Sequence, residues 1–234
     1  MSLIVEKRTL VIPGQLIAEG DFVPGENAYK REDKIYSLRL GVFELVNKKP
    51  TVVPLKGFYF PRVEDIVIGQ IKSVEVFGWI VEIYSPYSAL LQSTDRNRYR
   101  RYEQETRKEI RVGDLIKAKI VASDRSRDPL LTIQERGLGV ISSGKIVRIS
   151  PPKVPRLIGK EGSMINMLKK ETSCKIFISH NGIVLVSGPS ENEEKLALWA
   201  IKRIEAEAHT SGLTERISED IRNARKKGDL NFES

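Results

Sequence analysis

Leu157-Ile158-Gly159-Lys160-Glu161-Gly162-Ser163-Met164-Ile165 is the stretch on which the reading of this 234-residue chain turns. Two glycines three apart leave a short backbone segment without a Cβ at either end, so another polymer's backbone can approach it closely. Ser163 to Glu171 follows with Met164, Ile165 and Leu168 at helical spacing, which puts the glycine loop at a helix start. The free N–H groups and the dipole at such a start favour phosphate. Lys160 adds a cation, and Glu161 opposes it unless it points away. Alone, a four-residue glycine pattern carries almost no information; its weight comes from the elements around it.

Upstream, Lys145 to Ile149 reads as a strand stopped by Pro151-Pro152, and Val154 to Ile158 as one helical turn. Downstream, Lys175 to Ser179 and Ile183 to Ser187 read as strands flanking Asn181-Gly182, a two-residue hairpin signal. Ser190 and Glu193 form a capping box that opens a helix running to about Ala208. The order is β-α-α-β-β-α over residues 140–209. Beyond it, Leu213, Ile217, Ile221 and Ala224 form a narrow helical stripe with Gly228 as a stop, so 210–234 is read as a helix and tail that seals a domain or docks on a partner.

The first 139 residues carry a different pattern. In 1–61, short β-branched or aromatic runs (Val11-Ile12, Leu16-Ile17, 35–40, 42–46) are punctuated by Pro13-Gly14, Glu19-Gly20-Asp21 and Pro24-Gly25, which predicts a small β domain. In 62–139, strands are expected at 66–74, 79–83, 89–92, 115–121 and 129–133, with one long interruption at 95–111. Five short strands broken once fit a closed barrel of the OB type. The interruption holds Arg96, Arg98, Tyr99, Arg100, Arg101 and Tyr102, cations and rings suited to phosphates and stacked bases, followed by a mixed-charge half that reads equally as a solvated loop. The fold class is therefore multidomain, mostly β, with an α+β C-terminal domain.

Charge sharpens this picture. The chain has 39 Lys+Arg, 31 Asp+Glu and a formal charge of +8. Residues 140–175 alone carry 8 basic and 2 acidic side chains, the strongest local bias in the chain, and it coincides with the glycine loop. One cysteine, Cys174, excludes an internal disulfide framework, and two histidines, His180 and His209, make a histidine metal centre an unlikely design. No phosphate loop of Walker type, HExxH pattern or Ser/His/Asp set is present, so a non-catalytic role is expected, with no cofactor. No signal-peptide core or span of about 18 apolar residues is seen, and a cytoplasmic location is expected.

Within its β-α-α-β-β-α frame, the 157–165 stretch resembles a type I KH domain. That resemblance implies RNA contact through Gly159, Lys160 and Gly162. Ile158, Ile165 and Ile178 would line the groove floor, and Lys153, Arg156, Lys169 and Lys170 would stand at its edge. The middle region resembles the S-one domain, an RNA-binding OB fold, through Gly69, Val76 to Val81, Gly113-Asp114 and Asp124-Arg125. In that family a ring at the position of Phe77, a second ring three residues on, a third-strand histidine and an Asp/Arg pair form a stacking surface. Phe77, Asp124 and Arg125 match; the second ring is Ile80 and the histidine is Gln92, with Trp79 and Tyr99 as rings that could substitute.

The order of small β domain, S-one domain and KH domain resembles the RNA-binding cap subunits of the archaeal exosome over essentially the whole chain. It implies a subunit that binds single-stranded RNA, with three copies on a hexameric phosphorolytic ring. The first domain would dock on the ring, and Arg98, Arg100 and Arg101 would guide a strand to the pore. The alternatives are a transcription- or translation-associated RNA-binding factor and a purely structural clamp.

Overall fold

Seven strands form within residues 2–54: β1 (Ser2–Leu3), β2 (Leu10–Val11), β3 (Leu16–Glu19), β4 (Ala28–Arg31), β5 (Lys34–Ser37), β6 (Gly41–Val46) and β7 (Lys49–Pro54). They make two antiparallel sheets, ordered β1-β3-β5-β4 and β2-β6-β7. Val11, Ile17, Ala18, Ile35, Phe43 and Val52 are fully buried between the connected strands and form the core. Strands β4 and β7 were not expected from the sequence. Pro50 and Pro54 argue against a strand, and β7 tolerates them because it lies at the edge of its sheet. The computed structural model describes residues 2–92, 110–124, 127–208 and 212–227, and the chain divides into two compact units, 1–57 and 58–234.

The second unit opens with a closed five-stranded barrel: β8 (Ile66–Glu75), β9 (Gly78–Glu82), β10 (Ala89–Gln92), β11 (Leu115–Ala122) and β12 (Leu130–Thr132). Strand β8 pairs antiparallel with β9 and β11, β10 pairs with β9 and runs parallel to β12, and β12 closes onto β11. This is the OB connectivity expected of the region. A further strand, β13 (Gly139–Val140), adds to β11. Alternation sorts the side chains: Val67, Ile71, Trp79, Val81, Leu91, Ile116, Ala118, Ile120 and Leu131 point into the barrel and are buried. Tyr59 anchors the entering chain, its hydroxyl donating to Asp65 at 2.5 Å, and burial beside that carboxylate pushes the phenol far above its ordinary range.

The KH-type elements follow in the expected order: β14 (Lys145–Arg148), α1 (Val154–Ile158), α2 (Ser163–Thr172), β15 (Lys175–Ile178), β16 (Ile183–Ser187) and α3 (Glu191–Ala206). Their sheet is antiparallel in the order β14-β16-β15. Half of the capping box forms, with Ser190 accepting from the Glu193 N–H at 3.4 Å. The Glu193 carboxylate goes instead to Arg225, at 2.8 Å, on the last helix α4 (Leu213–Lys227). That helix buries Leu213, Ile217 and Ile221 in the KH core with Leu157, Met164 and Leu168, so it seals this domain. No described helix is long and apolar enough to cross a membrane.

Arg222 on α4 holds Glu171 at 2.7 Å and keeps that carboxyl below its usual range. A depressed folded-state value means the pair stabilises the protein above the ordinary glutamate pKa, and the contribution is lost as pH falls through the lower folded value. Arg222→Met is therefore expected to lower stability by about 1 kcal/mol at neutral pH. Near pH 3 the loss should be smaller, as read from urea midpoints at the two pH values.

Candidate nucleic-acid interface

The glycine loop is set by backbone conformation before any ligand is considered. Gly159 (φ 75°, ψ 172°), Glu161 (φ 53°, ψ 27°) and Gly162 (φ 80°, ψ 12°) all lie at positive φ, three of four consecutive residues. A Cβ on Gly159 would sit 2.7 Å from the Met164 nitrogen, so that position is closed to every other residue type. Gly162 is constrained by φ rather than space, since the nearest atom to its Cβ position is the tip of Asn166 at 3.3 Å. Helix α2 begins at Ser163 without a side-chain cap, which leaves its first N–H groups for water or an anion. Lys160 and Glu161 are both exposed at this end.

Beside the loop lies an apolar strip. Leu157, Met164 and Leu168 turn into the core, whereas Ile158 is 38% exposed and Ile165 and Ile178 are half-buried on top of that core. The three isoleucines expected to floor a groove are thus those the fold leaves partly open. Among the flanking cations, Arg156, Lys169 and Lys170 are exposed. Lys153 differs: its ammonium donates to the Glu205 carbonyl at 2.8 Å, at the C-terminal end of α3, while Glu205 accepts from the Ser150 N–H at 2.7 Å. Lys153 therefore ties the first helical turn to the last helix.

On the barrel, Phe77 is 77% exposed at the β8–β9 turn beside an equally open Val76. Gln92 is exposed and stands across from Gly78 in the β9–β10 register, next to Phe77 in the chain. The same register carries an unforeseen feature. Ile80, Leu90 and Leu130 are directly paired across β9, β10 and β12, all half-buried on the outer face. Leu130 also pairs with Ala122, so Asp124 adjoins the far end of this aliphatic row and holds the Arg127 N–H at 2.7 Å. Trp79 corrects an expectation: it is 3% exposed inside the barrel, opposite Val74 and Leu91, and no base can stack on it. Its parity with Val81 and Ile83 was the available signal. Arg98, Arg100, Arg101, Tyr99 and Arg125 lie outside the described residues.

Comparison with known proteins follows this geometry. Residues 8–56 match the family model described as the exosome RNA binding protein RRP4 N-terminal domain, and residues 145–205 match that of the KH domain. The chain is 43% identical over 219 residues to the exosome complex component Rrp4 of Methanobrevibacter smithii, covering 94% of this chain and 72% of that protein. It is 39% identical to Rrp4 of Saccharolobus solfataricus over 99% of this chain and 94% of that one. The chain belongs to the Rrp4 family of exosome components.

A solved crystal structure named as an exosome complex RNA-binding protein agrees, with 46% identity and a TM-score of 0.67, covering 74% of this chain and all of that one. In this Rrp4-family chain the candidate interface thus has two parts in the second unit: the glycine loop with its isoleucine strip, and the Phe77–Gln92 end of the barrel with the Ile80–Leu90–Leu130 row.

Proposed function

We propose that this chain is a non-catalytic RNA-binding subunit of an exosome, of which three copies cap a hexameric phosphorolytic ring. It captures single-stranded RNA and guides it to the entry pore, in the cytoplasm. The observation that carries this reading is the glycine loop, whose three positive-φ residues expose backbone N–H groups beside an open strip of isoleucines. Phosphates would sit against the loop and Lys160, with bases on Ile158, Ile165 and Ile178. Phe77 and the aliphatic row on the barrel supply a second, stacking contact.

The division of labour follows: residues 1–61 dock on the ring, 62–139 and 140–209 hold RNA, and 210–234 seal the KH domain. A docking surface suits the first of these. Leu10, Val42 and Val53 stand in one register row of the β2-β6-β7 sheet, with Leu40 beside Leu55 in the next and Ile12 on the same face. Leu10, Ile12, Leu40, Val53 and Leu55 are all exposed. An apolar sheet face of this kind marks a protein contact better than an RNA contact, since it offers phosphate nothing.

If phosphates are held at the loop, the logarithm of affinity for single-stranded RNA falls linearly with the logarithm of salt, with a slope of about −0.7 per phosphate contacted. Titration of the full chain with an unstructured RNA across a salt series reads this slope. A flat response contradicts phosphate binding.

A further inference from the structure

Ile68 and Ile183 are buried to 0% and 1% exposure, yet neither belongs to the apolar core of its own domain. They sit in a seam where the KH sheet packs against the outer face of β8 and β11. Asn181, at the turn joining β15 to β16, is 1% exposed there. Its Nδ2 donates to the carbonyls of Ile68 and Ile83, both at 2.8 Å, and its Oδ1 accepts from the Ile68 N–H at 3.3 Å. His180 adds a backbone N–H to the Ile66 carbonyl at 3.0 Å, and its Nδ1 accepts from the Ile66 N–H at 3.0 Å. At the seam's margin the Lys117 ammonium lies 3.6 Å from the centre of the Phe177 ring, and Arg148 lies 5.0 Å from that of Tyr84.

The turn was expected to be a two-residue Asn-Gly hairpin. It is instead a wider turn over 179–182, closed by the Gly182 N–H on the Ser179 carbonyl, with only Gly182 left-handed. That geometry frees the Asn181 side chain to enter the barrel's surface. Two donors and one acceptor are all used on backbone groups of β8 and on Ile83 just past β9, which only an amide side chain of this length supplies. The seam occupies the β8–β11 side of the barrel and leaves open both the β9–β10–β12 face and the glycine loop.

We propose that the barrel and the KH domain act as one rigid bivalent surface for single-stranded RNA, with Asn181 as the positioning residue that fixes the two contacts relative to each other. This rests on the RNA-binding reading above and adds the register between its two parts. The short segment between β13 and β14, residues 141–144, tethers the domains without orienting them. Fixed geometry makes the second contact intramolecular at high effective concentration, so affinity rises with RNA length only while the seam is closed.

The test uses the full chain with Asn181→Asp, which keeps the shape and removes both donors, and separately Phe177→Ser, which attacks the seam from its margin. Amide exchange at Ile68 reports the seam. Binding is measured to oligouridylates of about 5 nucleotides, close to what one KH groove holds, and about 25 nucleotides. Faster exchange at Ile68, short-RNA affinity within about twofold of the parent and long-RNA affinity reduced about tenfold or more are expected. Long-RNA affinity unchanged with the seam open overturns the proposal, as does an Ile68 amide that stays protected in both variants. Equal losses for both lengths overturn it too, because the damage then lies in the KH groove. A parent chain that binds neither RNA defeats the underlying RNA reading instead.

Discussion

A chain carrying Lys160→Asp together with Gly162→Asp is expected to bind single-stranded RNA about 10- to 100-fold more weakly while staying folded. The choice of positions follows from the loop. Gly159 cannot be changed informatively, because any Cβ there meets the Met164 nitrogen at 2.7 Å and would damage α2 whatever the loop binds. Lys160 is exposed, and at Gly162 the added atoms meet only the Asn166 side-chain tip, so the expected penalty there is the left-handed backbone, about 1 kcal/mol. Two carboxylates in place of a cation and a glycine repel the phosphate that the α2 start would otherwise attract. Glu161→Lys at the same exposed loop should act in the opposite sense and tighten binding. Fluorescence anisotropy with a labelled RNA, beside a melting curve for each variant, checks both. Unchanged affinity in the double variant would make the loop a packing feature.

The second large effect is expected at the other end of the chain. Leu40→Lys with Leu55→Glu should abolish assembly with the ring, weakening association about 100-fold or more, and leave RNA affinity of the free chain unchanged. Leu40 and Leu55 are neighbours across β6 and β7, where the Leu55 N–H donates to the Leu40 carbonyl at 3.3 Å. Opposite charges placed there pair with each other, so the sheet survives while its apolar outer face is lost. Each apolar anchor buried at the centre of a protein interface contributes on the order of 2 kcal/mol. Size-exclusion chromatography of chain and ring together reads the result. Retained assembly would move the docking surface off the β2-β6-β7 face.

Much of this architecture was legible in the residues, and the exceptions have physical causes. The KH order could be read because each element carries its own stop: Pro151-Pro152, the glycine loop, Asn181-Gly182 and the Ser190 cap. The barrel could be read because its alternation is regular from Gly78 onward. Strand β7 was hidden by two prolines that only an edge position permits, and β4 by a Tyr-Lys-Arg run with no apolar face of its own. Within the site, the loop and its three isoleucines lie where spacing placed them. Trp79 did not behave as a free ring, because the strand's parity turns it inward with Val81. Lys153 is held at the end of α3, a contact that depends on a residue 52 positions away. The Ile80–Leu90–Leu130 row and the Asn181 seam depend on pairing between distant strands, so no local pattern announces them.

The central claim is that this chain recruits RNA for catalysis carried out by its partners. Phosphorolysis of a single-stranded RNA, followed by release of nucleoside diphosphates, tests it most directly with chain alone, ring alone and the two combined. The expected result is no release from the chain alone and faster decay by the combination than by the ring at limiting RNA, with the gain lost in the Lys160→Asp, Gly162→Asp variant. Nucleoside diphosphate release by the chain alone, or a ring whose rate at limiting RNA is the same with and without it, would contradict the account.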